Sequence, residues 1–153
     1  MQMPQPTEHH AKLEQLTGTW RGEETLYPSP WAPELRTAVG KFSARIAVDG
    51  MFLISDYEEE REGAVVFRGH GVYGYDAGKG KYTMFWFDSM GYSPSETLGT
   101  WEGNTLTFEN KGEHGRNRYV YEVVDADHYT FKILASQDGA EWSAMMEGRY
   151  GRV

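Results

Sequence analysis

Between Thr19 and Tyr150 the chain breaks into about ten short runs rich in aromatic and β-branched residues, most of them parted by only a few turn-forming residues. The runs are Thr19–Tyr27, Ala38–Val48, Met51–Glu60, Ala64–Tyr75 and Lys81–Ser89, then Leu98–Trp101, Thr105–Asn110, Asn117–Val124, Tyr129–Ser136 and Glu141–Tyr150. The breaks carry Asp49-Gly50, Glu62-Gly63, Asp76 to Gly80, Gly103-Asn104, Asp125 to Asp127 and Asp138-Gly139, residue types that supply tight hairpin turns. Connections this short make neighbouring strands antiparallel, because a parallel crossover needs a dozen residues or more. A long meander hides its two edges most economically by closing on itself. The expected fold is therefore all-β, a single closed antiparallel up-and-down barrel of about ten strands, with a two-sheet sandwich as the competing architecture.

A length of 153 residues suits one domain, taken as 1–153 with residues 1–6 as a loose tail. Thr7 reads as the N-cap of a short helix reaching Leu16, with Ala11, Leu13 and Leu16 available for burial. The 18 glycines exceed the usual ~7% and are scattered among strand-like runs, as bulges and tight turns require. Two connections are longer: Pro28 to Arg36, with three prolines and Trp31, and Met90 to Thr97. Both read as loops over a barrel opening.

The absence of cysteine excludes disulfides, thiolate zinc sites and cysteine nucleophiles. A formal net charge of −8 with no Lys/Arg cluster argues against nucleic acid as a partner. No apolar run approaches the ~20 residues of a membrane helix. The polar stretch Met1 to His10 lacks the hydrophobic segment of a secretory leader, so a cytoplasmic location is expected.

The segment Leu16-Thr17-Gly18-Thr19-Trp20-Arg21-Gly22 places Gly-x-Trp after a short helix and at the start of the first strand. It resembles the entry to calycin barrels, the lipocalin, fatty-acid-binding and nitrobindin-like group. That resemblance implies that Trp20 plugs one barrel end and that an arginine of the last strand, Arg149 or Arg152, lies on it. Further segments narrow the resemblance to the bacterial domain-of-unknown-function family DUF1579. They are Tyr27 to Trp31, Asp49 to Ile54, Phe67-Arg68-Gly69-His70-Gly71-Val72-Tyr73-Gly74-Tyr75-Asp76 and Phe85 to Gly91. The likeness runs from about Glu8 to Tyr150 and implies a fold without an activity. Nitrobindin-like barrels hold haem through a histidine near the chain end. Here no histidine follows His128, so no haem or other cofactor is expected.

Two segments carry candidate site residues. In Arg68-Gly69-His70-Gly71-Val72-Tyr73 the glycines open space beside an imidazole, a group able to donate, accept or bind metal. His70 is read either as a base, ligand donor or metal ligand, or as a histidine bonded to a neighbouring strand. In Phe85-Trp86-Phe87-Asp88-Ser89 the alternation puts Trp86 and Asp88 on one strand face and Phe85, Phe87 and Ser89 on the other. An acid beside aromatics at a strand end makes a polar handle for an apolar pocket, and Asp88-Ser89 equally opens the following loop. A His70, Asp88, Ser89 triad is disfavoured, since the nucleophile-elbow glycine pattern is missing. The five histidines, His9, His10, His70, His114 and His128, show no metal-ligand spacing, and no metal site is expected. The acidic run Asp56 to Glu62 reads as a solvated strand end and turn.

The leading expectation is a barrel that binds a small, partly apolar ligand, with His70, Tyr73, Trp86, Asp88 and Ser89 as candidate contacts and no residue assigned as catalytic. One alternative is a hydrolase or isomerase that uses His70 with Asp88. Another is a non-catalytic interaction scaffold, with a homodimer as its natural form.

Overall fold

The computed structural model describes residues 1–30, 32–113 and 115–153, so Trp31 and His114 lie outside the described residues. A short helix, α1 (Glu8–Lys12), runs into a 3-10 turn over Leu13–Leu16. Ten strands follow: β1 (Gly18–Leu26), β2 (Arg36–Ala47), β3 (Phe52–Arg61), β4 (Ala64–Asp76) and β5 (Lys81–Asp88). The rest are β6 (Thr97–Glu102), β7 (Thr105–Gly112), β8 (Gly115–Asp125), β9 (His128–Ser136) and β10 (Ser143–Arg152). Each strand pairs antiparallel with the next, and β1 pairs with β10 to close the barrel. Closure rules out the sandwich, and the seam is shortest between β5 and β6, which pair only over Tyr82 to Met84.

The period-2 pattern sets what fills the barrel. On β3, Leu53, Ser55, Tyr57 and Glu59 are buried while Phe52 and Asp56 face out. Rings dominate the interior from the plug up to the middle of the barrel: Tyr129 meets Trp20 edge-on at 4.8 Å, Phe42 meets Tyr150 at 5.0 Å, and Tyr121 meets Phe131 at 4.7 Å. Such pairs add directional preference to a large burial of apolar area.

The helix seals one end. The Thr7 hydroxyl accepts from the His9 amide at 3.2 Å, and the Thr7 amide donates to His10 Nδ1 at 2.9 Å, so both ends of the cap are used. His10, Leu13 and Leu16 are buried, whereas Ala11 is exposed, contrary to expectation. The buried face recurs every three residues from His10, and Ala11 lies about 100° off it. Trp20 is 1% exposed and donates from Nε1 to the Leu16 carbonyl at 3.2 Å.

Arg152 sits directly across from Trp20 in the β1–β10 pairing, with its guanidinium 4.2 Å from the ring centre. It also donates to the carbonyls of Thr17 at 2.6 Å and Ala126 at 2.9 Å. Arg149 stands three residues away, an odd number. It therefore points outward opposite Glu23, and only Arg152 joins the plug.

Candidate functional site

Strand β1 runs from the plug at Gly18 up to Leu26, and at Leu26 the interior is no longer filled. A cavity of about 720 Å³ occupies the upper half, inside the ~300–1,000 Å³ typical of ligand pockets. Phe42, Met84, Phe131, Ile133 and Met146 give it apolar walls. The connection from β5 to β6 forms part of its rim through Met90, Tyr92 and Ser93 to Ser95, which bears out the reading of that segment as a loop over an opening.

Of the residues singled out in the sequence, Trp86 and Asp88 line the cavity. The indole Nε1 donates to Asp88 Oδ2 at 3.0 Å, and Asp88 Oδ1 accepts from the Met90 amide at 2.9 Å. Asp88 thus starts the loop, as one of its two readings had it, and its other oxygen holds the Trp86 indole in the cavity wall. Tyr73 faces inward but is only 2% exposed, and its hydroxyl is spent on that of Tyr121 at 2.7 Å. Burial pushes the Tyr73 hydroxyl up to about 12. Tyr121, not Tyr73, borders the cavity.

His70 and Ser89 stand elsewhere. His70 lies on the outer face of β4, with Nδ1 2.7 Å from Asp56 Oδ1 and its ring 6.1 Å from exposed Phe87. The flanking glycines serve the opposite face, where the Trp86 ring lies over Gly69 and the Tyr73 ring over Gly71. Ser89 is exposed, accepts from the Arg68 amide at 2.8 Å and donates to the Arg68 carbonyl at 3.2 Å. With His70 outside the wall and Asp88 inside it, the two cannot act as base and orienter on one substrate. The triad with Ser89 fails on the same geometry.

The main polar groups of the interior come from residues the sequence reading passed over. Glu24, 1% exposed, accepts from the Tyr57 hydroxyl at 2.6 Å and from the Tyr150 hydroxyl. Burial holds its carboxyl above the usual range, outweighing the downward pull of the two tyrosines, and also pushes Tyr57 up. Gly40 leaves the space in which the Glu24 carboxylate sits. Glu59 and Arg61, both on the cavity wall, pair at 3.1 Å. The supposedly solvated acidic run therefore sends every second residue inward, Tyr57, Glu59 and Arg61 among them. On the far wall Asn110 donates to the Tyr119 hydroxyl at 3.4 Å. The available signal was parity: if Trp20 faces in, so does Glu24 four residues on.

The arrangement offers an apolar chamber with a few polar groups on its wall and one open end. The model of a family described as "Protein of unknown function (DUF1579)" matches residues 5–152. Among solved structures, Rv2717c from M. tuberculosis is similar at a TM-score of 0.71 and 13% identity, covering 98% of this chain and 99% of that one. The S-type phycobiliprotein lyase CPES from Guillardia theta is similar at a TM-score of 0.68 and 12% identity, covering 98% of each chain. At these identities the likeness concerns the fold. No curated protein matches the chain in sequence.

Proposed function

Since the chain belongs to the DUF1579 family, whose description assigns no activity, we propose from the site itself that this barrel binds a small, partly apolar molecule in its upper half. The cavity of about 720 Å³, closed below and open above, carries the proposal. Its size and its few convergent polar groups match what binding pockets need. A chamber lined by Phe42, Met84 and Phe131 favours hydrocarbon or aromatic surface, at roughly 25 cal/mol per Å² removed from water. Likeness to a protein named as a phycobiliprotein lyase bears on the fold and adds no substrate.

Titration with dodecanol, a neutral apolar probe, followed by calorimetry is expected to show one saturable site. Ile133→Trp, which fills the chamber from its wall, is expected to remove that site while the protein stays folded. Uptake unaffected by Ile133→Trp, or no uptake at all, would refute an interior site. Native mass spectrometry of freshly purified protein adds the mass of any molecule already held.

A further inference from the structure

Two buried side-chain nitrogens lack a hydrogen-bond partner among the described residues: Nε of Arg36 and Nε of Arg61. Buried polar groups are nearly always paired, and an orphaned guanidinium N–H calls for an acceptor. Both nitrogens belong to one corner of the barrel. Arg61 lines the cavity. Strand β2 pairs with β3 through Gly40 with Glu59 and Val39 with Glu60, so the register carried one pair further sets Ala38 beside Arg61. Arg36 is the next inward residue toward the mouth, directly across from cavity-lining Leu26.

Charge is unbalanced in that corner. Arg61 gives Nη2 to Glu59, and Arg36 has no carboxylate within ion-pair distance among the described residues. Glu24 feels the charge of Arg61 but makes no ion pair with it, because its oxygens accept from Tyr57 and Tyr150. Asp88 stands two strands away and is held by Trp86 and the Met90 amide. The result is two guanidinium groups with one directly paired carboxylate: Arg61 on the cavity wall and Arg36 beside it in the strand register, across from cavity-lining Leu26.

We infer that this corner is an anion site: the molecule held by the barrel is amphipathic, with a carboxylate or phosphate head on Arg36 and Arg61 and an apolar body in the chamber below. Guanidinium forks match both oxyanions in geometry and bond them more strongly than neutral donors would. The overall charge of −8 does not oppose this, because screening in salt removes distant charges while a partly buried pair keeps its attraction. The inference rests on the binding reading above and adds the chemistry of the head group.

Calorimetric titration at about pH 8, where fatty carboxylates are ionised, compares laurate, dodecyl phosphate, dodecanol and dodecylamine, which share one apolar tail. Laurate or dodecyl phosphate is expected to bind at least about tenfold more tightly than dodecanol, with dodecylamine weakest. The stronger of the two anions identifies the oxyanion. In the double variant Arg36→Gln, Arg61→Gln the advantage over dodecanol is expected to vanish while dodecanol binding persists, which also shows that the chamber is intact. Arg36→Lys is expected to keep part of the advantage. Equal binding of anion and alcohol by the parent protein, or tighter binding of the amine, overturns the anion site and leaves the cavity reading standing. If none of the four binds, both fall together.

Discussion

Gly69→Ala adds one methyl group to the inner wall, and its consequences follow from what lies over that glycine. An ideal Cβ there would stand 2.5 Å from Cη2 and 3.0 Å from Cε2 of Trp86, with Cζ2 nearer still. Carbon–carbon contacts settle at about 3.5–4.0 Å, so the indole must retreat by roughly 1 Å or more. Its freedom is limited by the 3.0 Å bond from Nε1 to Asp88 and by its place in the cavity wall. Overpacking costs about 1–3 kcal/mol, and a weakened hydrogen bond to a carboxylate about 1.5–3 kcal/mol when lost entirely. Because the ring relaxes along one of these routes rather than paying both in full, a destabilisation of about 2–4 kcal/mol is expected by guanidinium denaturation. In a Trp86→Leu background the same methyl meets no ring and should cost less than about 1 kcal/mol, since alanine suits a strand better than glycine does. The cycle should therefore show coupling of about 1 kcal/mol or more. His70→Ala removes only an exposed pair with Asp56 and should change stability by about 0–1 kcal/mol. Equal cost of Gly69→Ala in both backgrounds, or a larger cost for His70→Ala than for Gly69→Ala, would refute the assignment of this segment's glycines to the inner wall.

Glu24→Gln keeps an acceptor for a tyrosine hydroxyl and removes the ionisable group. The folded carboxyl titrates above its ordinary value of 4.5, so Glu24 contributes most to stability below that pH, and its contribution is lost as pH rises through the raised folded value. Denaturation across a pH series should show Glu24→Gln gaining on the parent through that window, and parallel curves would contradict it. Trp20→Ala is expected to cost about 3–5 kcal/mol in thermal or chemical unfolding, the scale of a large buried ring. Arg152→Ala removes a cation from the ring face and donors from two carbonyls, for a smaller loss of about 1–3 kcal/mol; equal losses for the two would show the arginine to be the main seal.

Strand positions were legible because turn dipeptides bracket them, and the plug was legible because Gly-x-Trp follows a helix. Facing direction was harder. On β5 both alternating sets are aromatic or apolar, Phe85 and Phe87 against Met84 and Trp86, so hydrophobicity does not choose the inner face. On β4 the glycines beside His70 looked like access for something approaching the imidazole. They make room instead for rings on the other face, a relation between β4 and β5 that no local pattern reports. On β3 charge was misleading, because Glu59 and Arg61 meet each other inside the wall two residues apart. Anchoring the parity at Leu53 and Tyr57 would have exposed that pair, just as anchoring it at Trp20 exposes Glu24 and separates Arg152 from Arg149.

Why the interior stops being filled where it does follows from Glu24. Tyr57 and Tyr150 reach it from two other strands, and each brings a hydroxyl that burial would penalise if left unpaired. One carboxylate accepts from both, and Gly40 leaves the space it needs. Below this group, edge-on rings pack down to Trp20 and the helix. Above it, the inward positions pass to Leu26, Met146 and Ile133, which are too short to meet across the barrel. The buried acid therefore acts as a floor: its oxygens are taken by the two tyrosine hydroxyls, and the rings of Tyr57 and Tyr121 line the chamber above it.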